Sequence, residues 1–325
     1  MPSIITHHIF ANEVFKKLPK QTKSKFEDEI TIYNTFAQSH DYLFYRHFNP
    51  RRSRQIRDLG HYAHHHNTQD YLLNIIKEIK SNKLENNKQI IAYLYGSITH
   101  YILDTTCHPF IFYKTGVFRK KEKWTYKYRG EHTRIEKNID CILYEKYYQK
   151  KYLTCDINKE IIGKPLFSED LKNTITNVYK KTYNQDNIGE EYYNSIKDAK
   201  LINRLVTKDA IGLKKAIYLT IDTLFNHHFG NIAAYSTHIT KPVYDFLNSK
   251  RKKWNHPCDK KITFTYSFED LFNQSILKCV KLIEDVKKVL YEKGNLNSLK
   301  KEIPNIDYST GLPCDDPKML MFFEY

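Results

Sequence analysis

The chain is 325 residues long, 41% hydrophobic, with only 10 Gly and 10 Pro. That is enough chain to bury a sizeable core, too few turn residues for a barrel or sandwich, and nowhere near the run of apolar residues that a membrane-spanning helix needs. Lys and Arg outnumber Asp and Glu by 52 to 37, a formal charge of +15; this invites a polyanionic partner, yet Lys, Asn, Ile and Tyr are enriched together, so charge alone decides nothing.

Residues 1–17 lack the basic start, continuous apolar stretch and small-residue cleavage site of a signal peptide, so a cytoplasmic location is expected. The six cysteines (Cys107, Cys141, Cys155, Cys258, Cys279, Cys314) form no CxxC pair and read as reduced thiols packed as small hydrophobes. His7 and His8 open an amphipathic segment. Residues 69–79 put Leu72, Leu73, Ile75, Ile76 and Ile79 on one helical stripe, and residues 89–103 do the same with Ile90, Tyr93, Leu94, Ile98, Tyr101 and Ile102. The pattern recurs over 133–147, 209–225 and 268–291, the last opening at Ser267 with Glu269 and Asp270 in the first turn. Residues 114–130 read as a polar loop with a basic run, 184–189 and 248–265 (with Pro257) as breaks, and 304–317 as an irregular stretch able to pack on a surface. These elements predict an all-α, multihelical protein. A single domain over 1–325 is expected, with a metal-binding half at 1–150 and a helical half at 151–325 completing it.

Histidine is the most informative residue type: 11 of the 15 fall within the first 132 positions, and histidine is the commonest metal ligand. His100 and Asp104 are four apart on an apolar helix and project from one face. They either ligate one ion or form a buried hydrogen-bonded couple. Pro109 disfavours helix at His108, so the helix is expected to stop there and free His108 for a different ion. His132 and Glu136 share a face in the same way, with Asp140 one turn on; the bland alternative is a solvated surface pair. Ser39-His40-Asp41-Tyr42 offers a carboxylate beside a histidine, and Gly60–His66 offers several imidazoles. His227, His228, His238 and His256 read as structural.

These five elements, in this order, resemble the zinc-dependent phospholipase C family, whose multihelical fold is shared with single-strand-specific nucleases. The motifs cover about the first 145 residues, and KKWNHPC with SFEDLF further on also looks like one branch of that family. The resemblance implies two or three zinc ions in one cleft. Asp41, His64, His100 and Asp104 would hold the first; His61 and His65 stay open as alternatives to His64. His108, His132 and Glu136 would hold the second, and His7 the third, with Asp104 bridging. In the secreted members a processed N-terminal tryptophan completes the third site; this chain has none, and Pro2, exposed by removal of Met1, stands in its place.

The chemistry implied is hydrolysis of a phosphate ester by water made acidic on zinc, whose pKa falls to about 7 there, with Asp41 accepting the proton. Neither a GxSxG elbow nor a P-loop occurs. The substrate is expected to be a phospholipid headgroup or a nucleotide, with an anionic membrane surface as a further partner and no obligate protein partner identifiable. Competing readings are a zinc nuclease of single strands, a basic helical binding protein without catalysis, and an HD-type phosphohydrolase, for which His40-Asp41 is the one adjacent pair.

Overall fold

The computed structural model describes residues 4–49, 51–206, 209, 211–224, 233, 236, 244–292 and 294–324. Among these residues twelve α-helices follow in chain order: α1 (Ile4–Lys17), α2 (Lys20–Lys23), α3 (Ile30–Phe36), α4 (Ser53–His65), α5 (Thr68–Ser81), α6 (Lys88–Thr115), α7 (Glu131–Tyr148), α8 (Glu169–Tyr183), α9 (Ile188–Val206), α10 (Leu213–Leu224), α11 (Phe268–Tyr291) and α12 (Leu296–Glu302). The fold is all-α apart from one antiparallel hairpin, β1 (Trp254–His256) with β2 (Asp259–Phe264), in which Trp254 pairs with Phe264. The hairpin falls in a stretch read as a break. Its second strand is mostly exposed and so carries little of the apolar alternation by which strands are recognised.

Helix α6 is the centre of the molecule. Its 28 residues are buried nearly all round, as expected of a helix apolar on every side, and α1, α3, α5, α7 and α11 pack around it. Asn87 caps its start by accepting from the Ile90 amide at 3.3 Å, satisfying one of the amides a helix start leaves open. Against α3 the backbones touch: a Cβ on Gly96 would stand 2.4 Å from the Tyr33 carbonyl oxygen and 2.8 Å from the Phe36 Cβ. Only glycine fits there.

The helix does not stop at Pro109, contrary to expectation, but runs on to Thr115. Proline removes the amide that would have bonded the Thr105 carbonyl. In its place Gly311 packs so closely that a Cβ would meet that carbonyl oxygen at 2.6 Å and the Pro109 ring at 3.2 Å. A tertiary contact thus covers the defect that a helix interior normally cannot tolerate.

Elsewhere boundaries lie within a few residues of expectation: 69–79 is α5, 133–147 is α7 and 268–291 is α11. The last is opened by a reciprocal capping box between Ser267 and Asp270. Helix α10 is shorter than 209–225 at its start, and Phe225 lies outside the described residues. Among the described residues no helix is long and apolar enough to cross a membrane, and the six cysteines are unbridged.

Candidate metal centre

Five elements converge on one buried locus. Helix α6 contributes His100, Asp104 and His108, spaced by four so that they form one stripe about 12 Å long. Helix α1 contributes His7. Its start is anchored by the fully buried Asp140 of α7, whose Oδ1 accepts from the Thr6 amide and hydroxyl, both at 2.8 Å. Helix α4 contributes His64, and α7 contributes His132 and Glu136. Asp41 sits on the 3-10 turn Ser39–Tyr45. That turn is fixed by the Tyr192 hydroxyl, which donates to the Ser39 carbonyl at 2.6 Å, and by buried Arg46, which reaches Glu191 at 2.8 Å and Asp198 at 2.7 Å on α9.

In the first group His7 Nε2 lies 3.1 Å from Asp104 Oδ1 and 4.0 Å from Asp41 Oδ2. His100 lies 3.9 Å from Asp41 Oδ2 through Nδ1 and 3.4 Å from Asp104 Oδ2 through Nε2. His100 is 0% exposed, yet neither of its ring nitrogens has a hydrogen-bond partner; His7 Nδ1, Asp41 Oδ2 and Asp104 Oδ2 are buried without one as well. Buried polar groups left in this state are costly and rare. His64 adjoins the group: Nδ1 donates to the Gly60 carbonyl at 2.6 Å, leaving Nε2 facing Asp41 Oδ1 at 2.9 Å.

The second group is His108, His132 and Glu136. Glu136 Oε1 lies 3.1 Å from His132 Nε2 and 3.7 Å from His108 Nε2. His132, 30% exposed, is its link to solvent. Between the groups lies a cavity of about 20 Å³ lined by His7, Asp104, His108 and Glu136, room for one water-sized guest.

The electrostatics call for positive charge. Burial opposes ionisation of Asp104, but His108, His100 and His7 outweigh it and hold the carboxyl well below its usual range. Burial likewise opposes ionisation of Glu136, and His132 and His108 overcome it. His108, which burial alone would neutralise, is pushed up to about 9 by Asp104 and Glu136, whereas burial takes His100 down to about 4. Protons on imidazoles here do what a cation does better. Zinc at about 2.0–2.2 Å from tetrahedral N and O donors sets those donors about 3.4 Å apart, within the 2.9–4.0 Å range of the contacts above. The residues therefore fit zinc.

The structure brings seven of the eight residues named from the sequence into the two groups, and His64 adjoins the first through Asp41. His61 is exposed against Phe44 and His65 bonds Asp307 at 2.6 Å, so of the three candidates on α4 only His64 reaches Asp41. Asp140 does not join the second group but holds α1, as described. His40 belongs to neither group; its Nδ1 meets the Tyr179 hydroxyl at 2.6 Å. His256 is structural, with Nε2 2.9 Å from the Thr310 carbonyl. Pro2, His227, His228 and His238 lie outside the described residues.

One contribution was not foreseen. The turn Asp307–Gly311 lies against the site rather than on a remote surface. The Tyr308 carbonyl accepts from His108 Nδ1 at 3.0 Å, and the Tyr308 amide donates to the His64 carbonyl at 2.9 Å. A backbone carbonyl on one ring nitrogen fixes the tautomer that frees the other for a metal. No sequence signal marks such a role, because the bonding atoms belong to the main chain.

Residues 6–188 match the family described as zinc dependent phospholipase C. No curated protein and no solved structure matches the chain. With more than half of its length matched and a buried histidine and carboxylate centre suited to the ion, the chain belongs to the zinc-dependent phospholipase C family and is a zinc hydrolase.

Proposed function

We propose that the protein hydrolyses phosphate esters in the manner of a phospholipase C, at two or three zinc ions. Asp41, His64, His100 and Asp104 would hold the first ion, and His108, His132 and Glu136 the second. His7 and Asp104 would hold a third. The observation that carries this reading is the fully buried His100 with both ring nitrogens unpartnered beside the open oxygens of Asp41 and Asp104. A structural zinc site would instead be rich in Cys and closed, and here no Cys belongs to either group.

Bound zinc supplies Lewis acidity and a water ionisable near neutral pH. The chain's own residues do the rest. Asp41 would hold the ion through one carboxylate oxygen and accept a proton of the attacking water at the other. The Gly60 and Tyr308 carbonyls hold His64 and His108 with Nε2 turned inward. Leu103, Ile111, Ile139 and Phe268 give the cavity an apolar wall. No side chain there serves as a covalent nucleophile: Cys107 lines the cavity, but burial pushes its thiol well up, away from the reactive thiolate. The same reading takes 1–325 as one domain, supported by α11 packing on α6 and by the Asp307–Gly311 turn closing over the site.

The test is hydrolysis of a chromogenic phosphodiester and of a monomeric short-chain phospholipid, with a single-stranded oligonucleotide as a third substrate. Activity lost in chelator and restored by zinc, strongest on the phospholipid, supports the reading. Strongest cleavage of the oligonucleotide would move it to the nucleases, and zinc-loaded protein inert on all three would end it.

A further inference from the structure

Residues 116–130, which join α6 to α7, form a basic and aromatic segment that the metal chemistry does not use. Trp124 is 50% exposed and Tyr126 44%. Around them Lys120, Lys121, Lys123 and Lys127 are exposed. The segment's acidic residue, Glu122, is engaged by Arg119 at 3.2 Å, and among the described residues none of the four lysines has a carboxylate partner. Four lysines without a carboxylate partner among the described residues, one of them (Lys127) lying over the Tyr128 ring at 4.9 Å, thus share one short surface with two large exposed aromatic rings.

The segment is a folded platform. The buried Thr125 hydroxyl bridges the Arg119 amide at 2.8 Å and the Glu122 carbonyl at 2.7 Å. The Tyr126 hydroxyl donates to the Lys120 carbonyl at 3.0 Å. Tyr128 is buried beneath Trp124, with ring centres 6.2 Å apart, and packs where a Cβ on Gly116 would stand. Both arginines face inward: Arg119 donates to the Leu320 carbonyl at 2.6 Å, and Arg129 stacks on Phe118 at 4.3 Å and on Tyr126 at 5.1 Å.

We propose that this platform docks the protein on an anionic phospholipid surface, with Trp124 and Tyr126 entering the headgroup layer and the four lysines meeting lipid phosphates and carboxylates. Trp and Tyr favour that layer, and lysines act there as diffuse point charges. A single-stranded nucleic acid would draw on arginine forks and stacking grooves, and here the arginines are occupied. The position suits the task. His132, the solvent-facing member of the second group, lies two residues beyond Gly130, its ring 4.7 Å from Phe112 on the helix that leads into the platform. The inference deepens the phosphate-ester reading, but docking is measurable without turnover.

The experiment uses the full chain with Trp254→Phe, which leaves Trp124 as the sole tryptophan. It is titrated with phosphatidylcholine vesicles with and without phosphatidylserine, and separately with an oligothymidylate. Expected are binding to the phosphatidylserine vesicles, a blue shift of Trp124 emission, and weakening by salt. At about fivefold per lysine, replacing Lys120, Lys121, Lys123 and Lys127 by Gln should weaken binding ~100-fold or more, with unchanged melting temperature. The Glu136→Gln variant should bind vesicles as the parent does. Absence of vesicle binding, equal binding to neutral vesicles, unweakened binding by the quadruple variant, or Trp124 responding only to the oligonucleotide would overturn the proposal. None of these outcomes bears on hydrolysis of a monomeric ester.

Discussion

His64 Nε2 stands 2.9 Å from Asp41 Oδ1, while its Nδ1 donates to the Gly60 carbonyl. A neutral ring in that tautomer turns a lone pair on a carboxylate, an arrangement that repels unless a cation stands between them or the ring takes a second proton. Burial opposes that proton, yet the Asp41 hydrogen bond and charge raise the His64 pKa. Zinc relieves the conflict, so added zinc should raise the melting temperature. At free zinc 100-fold over its Kd the gain is about 2.7 kcal/mol, several degrees by calorimetry, and chelator should reverse it.

Glu136 faces both histidines of the second group. Glu136→Gln keeps the shape and removes the charge. At least one zinc fewer per chain is expected by elemental analysis, and hydrolysis lower by about 100-fold or more, the scale on which charged groups aimed at a reacting centre act. Full retention of metal would count against its place in the group.

The metal-free protein should take up zinc in exchange for protons. His108 is pushed up from 6.5 to about 9, so at pH 7 it carries a proton that zinc must displace. Affinity should climb with pH until about 9, and titration calorimetry in buffers of different ionisation heat should count at least one proton released. The same shift makes His108 stabilising to the metal-free fold below pH 6.5, a contribution lost as pH rises through about 9.

Asp307 holds the turn that orients His108. Its Oδ1 accepts from the Ser309 and Thr310 amides at 2.8 and 2.9 Å, and its Oδ2 meets His65 Nδ1 at 2.6 Å. Asp307→Ala should lower zinc affinity about 10–100-fold, as loss of outer-shell partners does. A competition titration with a chromophoric chelator reads this, and the fold should survive.

Gly96→Ala places a methyl against the Tyr33 carbonyl and the Phe36 side chain. Overpacking where two backbones touch should cost about 1–3 kcal/mol. Urea denaturation would show it as a lower midpoint at unchanged slope.

Sequence made some of this legible and hid the rest for physical reasons. Helices α5, α7 and α11 bury one face each, so their apolar period stood out. Helix α6 is buried nearly all round, so its end was sought in Pro109 instead, and the glycine that covers the defect lies 202 positions on. The pairs His100–Asp104 and His132–Glu136 were readable because four-residue spacing is local geometry. The elements holding Asp41 and His64 stood out singly, but their pairing came only by resemblance, since nothing local brings positions 41 and 64 together. The choice among His61, His64 and His65 was nonetheless encoded: Ile56, Gly60 and Ala63 are buried, a helical stripe that includes 64 and leaves 61 outside. Asp140 shared a face with Glu136 on paper, but it is drawn to the open amide at the start of α1.

Zinc K-edge absorption together with elemental analysis, on protein purified without chelator, reads the metal centre itself. Two or three zinc ions per chain are expected, in a shell of nitrogen and oxygen at about 2.0–2.2 Å without sulfur. Protein that binds no zinc under these conditions, or a sulfur shell at about 2.3 Å, would contradict that expectation.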